Sequence, residues 1–140
     1  MCHTELDEIE GRTAPPRLPT IPEHEVVGVV DALGEGASRF ECGARVGVGW
    51  FYSSCGECEQ CRSGRENLCD SFGATGRDAD GGYAEQMVVP ESSAYPIPER
   101  FTHEESAPLL CAGRICGRTA SWGFSALGLR LTWCSRWRGR

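Results

Sequence analysis

Apolar, largely β-branched residues occur along the chain in short runs, which glycine- and proline-rich stretches separate. Three such runs lie at residues 26–36, 45–52 and 81–90, and the third alternates between apolar and polar positions before it ends at Pro90. Runs of this length and composition, bounded by glycine and proline, are typical of β-strands. The four prolines of residues 11–23 exclude regular structure there. The pattern predicts a mainly β domain.

One short helix is predicted near residue 102. Thr102 is followed three positions later by Glu105, which is the spacing of a capping box at a helix N-terminus. Pro108 lacks a backbone N–H and limits how regular this helix can be. The helix therefore belongs to a domain that is otherwise made of strands and loops.

Composition narrows the classes of function. The chain has 140 residues, with 20 acidic against 14 basic side chains and a net charge of −6. Nucleic-acid binding needs clustered cations, so this balance argues against it. No run of about 18 apolar residues is present, so no membrane span is predicted. The acidic first residues lack the apolar segment of a signal peptide, which makes the cytoplasm the expected compartment.

Four cysteines lie close together within residues 53–70, in the spacing C-x2-C-x2-C-x7-C: Cys55, Cys58, Cys61 and Cys69. Four thiolates bind zinc tetrahedrally and close its coordination shell, which is the pattern of a structural site. The residues between them are polar and give little to a core, so the metal would hold this lobe together. Two disulfides are an alternative, disfavoured in a reducing compartment. An iron–sulfur cluster shares the opening spacing but usually has a different fourth spacing and a following proline.

Three further residues form a second candidate set: Cys2, His24 and Cys111. Two cysteines and a histidine that leave one coordination position open are a catalytic zinc pattern. Taken singly, each residue also has an ordinary explanation, because lone cysteines are usually small buried side chains and lone histidines are usually hydrogen-bonded. Spacing alone leaves this set open.

Four segments, in order along the chain, together resemble the catalytic domain of zinc-dependent alcohol dehydrogenases in the medium-chain dehydrogenase/reductase superfamily. They are "CHTEL", "EHEVVGVVDALGEGA", "CGECEQCRSGRENLC", and "DGGYAEQMVV" through "APLLCAG". The resemblance covers residues 1–113 and implies a GroES-like partial barrel with an inserted structural-zinc lobe and a short helix. It implies a catalytic zinc on Cys2, His24 and Cys111, with Glu25 beside the metal as a neighbouring or exchangeable ligand.

The resemblance also implies a reaction, in which a small alcohol becomes an aldehyde or ketone and NAD or NADP accepts the hydride. Thr4 would pass the alcohol's proton outward, Asp7 would end the relay, and His3 would lie near the cofactor's pyrophosphate. Trp50 or Phe51 would line the substrate pocket, although ordinary strand packing explains them equally well. Full-length members of such a family can form homo-oligomers.

Three positions depart from the family pattern. Glu23 replaces the glycine that precedes the ligand histidine, Glu5 replaces an aspartate, and Asp7 stands where a histidine often ends the relay. A carboxylate can also relay protons, but its pKa is lower than that of histidine. A non-catalytic zinc-binding module is therefore the alternative function, from a different class.

The two ends of the sequence lead to further expectations. The first proposed ligand directly follows Met1, whereas the family places several strands before it, so an N-terminally truncated domain is expected. Residues 114–140 hold six arginines, three tryptophans and no acids. This composition is what translation in a shifted reading frame can produce. A genuine basic tail is the alternative. No strand or helix pattern is evident there. No G-x-G-x-x-G follows a strand, so a Rossmann domain is expected to be absent and the 140-residue chain alone inactive.

Overall fold

The computed structural model describes residues 2–111 and 128–132. Three short helices are present in these residues: α1 (His3–Ile9), α2 (Glu59–Arg62) and α3 (His103–Ser106). The strands are β1 (Val26–Leu33), β2 (Arg45–Val48), β3 (Phe51–Ser53), β4 (Gly73–Ala74), β5 (Gln86–Pro90), β6 (Ala94–Pro96) and β7 (Gly128–Thr132). Three 3₁₀ turns connect them, at Glu66–Leu68, Glu91–Ser93 and Ala107–Leu110. Within the described residues, none of the helices has the length and apolar character that a bilayer crossing requires.

The main sheet has five strands in the order β5-β7-β1-β2-β6, and each neighbouring pair is antiparallel. Val26 lies opposite Val48, and Val46 lies opposite Pro96. The pairing of β1 with β7 shifts between Val30 and Ala32, which is the kind of irregularity that bends a strand. β3 and β4 form a separate two-stranded sheet, which leads into and out of the four-cysteine lobe.

The core lies on one face of the five-stranded sheet. Its buried side chains come from four strands: Val26, Val30, Val46, Val48, Met87, Val89 and Ala94. β5 shows the alternation most clearly, since Met87 and Val89 are buried whereas Val88 is 61% exposed. Val46, Val48 and Val89 are fully buried, and burying a valine side chain stabilises a fold by about 1.5–3 kcal/mol.

A close approach of backbone to side chain positions the end of the domain. A Cβ atom added at Gly47 of β2 would lie 2.7 Å from Leu110 Cδ2 and 2.8 Å from Ile97 Cδ1. Glycine in a strand often marks such an approach. The absence of a side chain at Gly47 thus lets the 3₁₀ turn that ends at Leu110 pack on the sheet. This packing positions Cys111, the next residue.

The prediction of a mainly β domain is confirmed, and the described residues contain three short helices where the sequence predicted one. The predicted run at 45–52 divides into β2 and β3, because the chain leaves the main sheet after Val48. The run at 81–90 forms a strand only from Gln86. The predicted capping box is confirmed, since Thr102 Oγ1 accepts the Glu105 N–H and the Glu105 carboxylate accepts the Thr102 N–H.

Besides the short elements α2, β4 and β6, which were not predicted, α1 and β7 differ from the sequence-based expectations. α1 was not predicted, because seven residues with little apolar periodicity give a weak helix signal. The expectation that residues 114–140 lack a strand pattern is wrong for 128–132, which form β7 between β1 and β5. This strand forms because its backbone pairs with a strand on each side, and a local sequence pattern does not reveal such long-range pairing. The rest of that segment lies outside the described residues.

Candidate metal centres

The four cysteines of residues 53–70 converge on one point. The Cys55 and Cys61 sulfurs lie 3.8 Å apart, and the Cys58–Cys61 and Cys55–Cys69 pairs are each 3.5 Å apart. Four thiolates around one zinc at about 2.3 Å would be separated by about 3.8 Å. A disulfide would require about 2.05 Å between two sulfurs. The donor set and its spacing therefore fit a single four-coordinate metal.

The local backbone also prepares these sulfurs to bind a metal. The N–H groups of Cys58, Cys61 and Ser71 donate to the Sγ atoms of Cys55, Cys58 and Cys69 at 3.4, 3.5 and 3.3 Å. Such donors favour the thiolate form. Backbone hydrogen bonds, from Glu57 first and then from Cys58, lower the pKa of Cys55 to about 6.

The thiols of the lobe share protons unevenly when no cation is present. The N–H of Cys61 acts to lower the pKa of Cys58, but the Cys61 thiol and burial outweigh it and raise this pKa to about 11. Neighbouring sulfurs cannot all ionise without a positive charge between them. A divalent cation would supply that charge and would deprotonate the remaining thiols.

The second predicted set is also brought together. One donor atom from each of Cys2, His24 and Cys111 lies within 4.8 Å of the others. The two sulfurs are 3.7 Å apart, with the Cys111 thiol donating to Cys2. Cys2 is the N-cap of α1, His24 precedes β1, and Cys111 follows the turn that packs on Gly47. Three protein donors in this arrangement fit a metal site with one open position.

Glu5 connects two of these three ligands. Its Oε2 atom accepts the backbone N–H of Cys2 at 2.8 Å, which completes a capping box. Its Oε1 atom lies 2.5 Å from Nδ1 of His24, and both residues are 1% exposed. A carboxylate at Nδ1 leaves Nε2 as the nitrogen for a metal. The sequence does not predict this contact, since it shows only that Glu5 replaces an aspartate of the family pattern.

Trp50 and Phe51 are placed differently. The Trp50 ring meets the His24 imidazole edge-to-face, with centroids 4.9 Å apart. The Phe51 ring packs against Phe72, at 5.8 Å, beside the four-cysteine lobe. Trp50 is therefore the one that contacts the second metal set, whereas the packing interpretation accounts for Phe51. A substrate-lining role for either residue stays a prediction.

The predicted relay residues lie on successive turns of α1. Thr4 Oγ1 is 3.6 Å from Cys2 Sγ, so this hydroxyl lies beside a ligand atom. Asp7 Oδ1 accepts from Arg12 Nε at 2.6 Å and lies 3.4 Å from His3 Nδ1. The hydrogen bond from Arg12 is the main cause that lowers the pKa of Asp7. His3 is 74% exposed, and its predicted contact with a cofactor is untested.

The charge of Glu25 is one of the smaller influences on the Cys111 thiol of the second metal set. Burial raises the pKa of the Cys111 thiol to about 11, and the neighbouring Cys2 thiol and the charges of Cys2, Glu25 and Glu5 add to this effect. Burial and the neighbouring Cys2 thiol thus favour the protonated form of Cys111. A bound metal would reverse this preference, because a coordinated thiol is deprotonated.

The sequence was compared with known protein families and with curated proteins. A family model described as the alcohol dehydrogenase GroES-like domain matches residues 1–99. An alcohol dehydrogenase of Geobacillus stearothermophilus is 43% identical over 114 residues, which make up 81% of this chain and 34% of that protein. The chain thus spans about a third of the length of the relatives it matches.

Solved structures give the same result for the fold. A cinnamyl alcohol dehydrogenase of Sorghum bicolor superimposes with a TM-score of 0.75 at 38% identity, over 81% of this chain and 35% of that chain. A Helicobacter pylori structure described as CAD complexed with NADP(H) superimposes with a TM-score of 0.74 at 32% identity, over the same shares.

Proposed function

The chain belongs to the family of alcohol dehydrogenase GroES-like domains, and we propose that it supplies the zinc-binding catalytic part of an enzyme that oxidises an alcohol to an aldehyde or ketone. NAD or NADP would accept the hydride. Relatives named alcohol dehydrogenases, among them an NADP-dependent enzyme of Mycobacterium bovis, support this reaction. The substrate would be a small alcohol or aldehyde, and the reduced thiols of the two cysteine sets favour the cytoplasm.

One observation carries the proposal. Cys2, His24 and Cys111 come from three distant parts of the chain, yet their donor atoms lie within 4.8 Å of one another. Packing alone does not require two thiols and an imidazole to meet at one point. Two sulfurs and one nitrogen form a catalytic zinc donor set, whereas the four-sulfur set of the lobe has a structural role.

Zinc at such a site would supply a Lewis acid, which lowers the pKa of an alcohol's hydroxyl group. The residues of the chain would do the rest. Glu5 fixes the orientation of His24 and of the Cys2 backbone. Thr4 Oγ1, beside Cys2 Sγ, would receive the proton that the alcohol loses. Asp7 lies one turn further along α1 and is held ionised by Arg12, so it would be a weak proton acceptor at the end of the relay.

Cobalt substitution tests the site without a need for turnover. Co²⁺ bound to cysteine thiolates absorbs visible light, and its bands respond to the donor set. We expect the full chain to bind two Co²⁺ ions, one with a four-sulfur spectrum and one with a mixed sulfur–nitrogen spectrum. Trifluoroethanol, an acidic alcohol, should shift only the mixed spectrum, because only that set has a position open to a further ligand.

Matched variants assign the two spectra to their sites. His24→Ala should abolish the mixed spectrum and the response to trifluoroethanol, whereas His103→Ala, at a histidine of α3, should leave both unchanged. The alternative of a non-catalytic zinc-binding module predicts a four-sulfur spectrum that does not respond to the alcohol. That result, with a correctly folded protein, would contradict the proposed function.

A further inference from the structure

Glu23 occupies a backbone conformation that side chains rarely adopt. Its φ angle is 93°, and such conformations cost a non-glycine residue on the order of 1–3 kcal/mol. Its side chain is buried, with only 3% exposed, although an ionised carboxylate is costly to bury. This residue directly precedes the metal ligand His24. A strained and buried acid at this position requires an explanation.

The strained backbone is held from outside by a glycine loop. The Gly82 N–H donates to Glu23 O at 3.0 Å, and the Gly81 N–H donates to Ile21 O at 2.7 Å. A Cβ atom added at Gly76 would lie 2.8 Å from the Glu23 nitrogen. Gly76 and Gly81 therefore lie too close to the backbone of residues 22–23 to admit a side chain. The conformation of Glu23 is imposed by this packing.

The Glu23 side chain accepts a hydrogen bond from the backbone on the far side of His24. Its Oε1 atom accepts the backbone N–H of Glu25 at 2.9 Å. This bond joins the residue before His24 to the residue after it. Burial first, and then the nearby Glu23 carboxylate, raise the pKa of Tyr83. The Tyr83 N–H in turn donates to Pro22 O at 3.2 Å.

We propose that Glu23 is a positioning residue for His24: the Glu23 carboxylate fixes the backbone on both sides of His24 and so holds the imidazole close to the two cysteine sulfurs. The inference rests on the proposed function, because it assumes a metal at Cys2, His24 and Cys111. Glu5 holds the imidazole from the ring side. Glu23 fixes the backbone from which the imidazole projects, so the two carboxylates constrain the ligand at both ends of its side chain.

The test is a Co²⁺ titration of the full chain with three substitutions at one position. Glu23→Gln keeps an oxygen that can accept the Glu25 N–H, so its affinity for Co²⁺ at the mixed site should equal that of the parent. Glu23→Ala keeps the strained backbone and loses the acceptor. Glu23→Gly relieves the strain and also loses the acceptor. Both should weaken Co²⁺ binding at the mixed site about 10–100-fold, as is usual for residues that orient a ligand.

The four-sulfur site of each variant is the internal control for folding, because it lies on a separate lobe and its spectrum should not change. The exposed Glu99→Gln substitution is the control for loss of a negative charge. If Glu23→Gly binds Co²⁺ as tightly as the parent while Glu23→Ala does not, strain alone explains the loss and the inference is wrong. Equal affinity in all variants would also overturn it. A parent protein without a mixed site would instead contradict the proposed function itself.

Discussion

One oxygen of the buried Glu5 carboxylate lies 2.5 Å from Nδ1 of His24. Its other oxygen accepts the N–H of Cys2 at 2.8 Å. A single side chain thus contacts two of the proposed metal ligands, which are 22 positions apart in the sequence. This arrangement makes α1 a part of the metal site, since the residue that completes its capping box is also the partner of the ligand imidazole.

Glu5→Gln tests this dual role with almost no change in shape. The glutamine oxygen can still accept the Cys2 N–H, but its NH₂ group would then face His24. An imidazole that accepts at Nδ1 carries its proton on Nε2, the nitrogen that the metal needs. We expect zinc affinity at this site to fall about 10–100-fold, as measured by competition with a chelator. Glu66→Gln is the control, and equal losses in both variants would contradict the role of Glu5.

The four-cysteine lobe is expected to depend on its metal. Cys61→Ser removes a buried ligand, so bound zinc should fall by about one ion per chain and residues 53–70 should lose their amide protection against hydrogen exchange. Cys42→Ser is the matched control, because Cys42 is an exposed free thiol outside both metal sets. Elemental analysis and hydrogen exchange measure the two effects. Full zinc retention by Cys61→Ser would show that the lobe does not need this ligand.

The pairing of Asp7 with Arg12 predicts a dependence on pH. Because the pKa of Asp7 is lowered in the folded chain, its ionised form contributes stability above the ordinary carboxyl pKa, and this contribution is lost as the pH falls through the lowered value. Arg12→Gln should move the pKa of Asp7 up, as followed by carboxyl-carbon NMR. Arg62→Gln, at another exposed arginine, should not. An unchanged Asp7 pKa in Arg12→Gln would exclude this pairing in solution.

The tight packing of the 76–82 loop predicts different effects for two glycines. Gly43 and Gly76 have similar φ angles, +89° and +81°, but a Cβ atom meets nothing within 4 Å at Gly43 and meets Glu23 backbone at Gly76. Alanine should cost about 1–2 kcal/mol at either position through its conformation. At Gly76 the overlap should add about 1–3 kcal/mol. Urea denaturation measures both, and equal costs would contradict the close contact.

β7 predicts that the end of the chain contributes to the sheet. Deletion of residues 114–140 would leave β1 and β5 without the strand that pairs with both. Each lost backbone hydrogen bond has a net value of about 0.5–1.5 kcal/mol, so the melting temperature should fall by several degrees. Zinc in the four-cysteine lobe should be retained. An unchanged melting temperature would support the view that this segment was never selected to pack on the domain.

Features that depend on neighbours in sequence could be predicted from the sequence, and features that depend on distant contacts could not. Thr102 and Glu105 form their capping box within one turn, and Cys55 to Cys69 are near each other along the chain. The set of Cys2, His24 and Cys111 required a family resemblance, because its spacing carries no geometric signal. Given that resemblance, the unusual φ angle of residue 23 has one sign in the sequence, which is that glutamate stands where the family has glycine.

α1 and β7 show what a local pattern leaves out. The segment His3–Ile9 is too short to be a stable helix on its own, and its N-terminus is held by Glu5, which also contacts a histidine before β1. β7 alternates apolar and polar residues over only four positions, from Leu129 to Thr132, which is a weak signal alone, but β1 and β5 provide a backbone ladder on each side of it. In both cases a partner elsewhere in the chain supplies the stabilisation that the segment lacks.

The sulfurs of Cys2 and Cys111 meet across 109 positions of sequence, whereas Cys55 and Cys69 are 14 positions apart. A cross-link that closes a ring of about 100 residues lowers the entropy of the unfolded chain and so destabilises that state by about 4.7 kcal/mol at room temperature. For a ring of about 15 residues the value is about 3 kcal/mol. A metal at Cys2, His24 and Cys111 would therefore tie nearly all of the described chain into one loop. Its release would loosen the whole domain, whereas release from the four-cysteine lobe would loosen a single short segment.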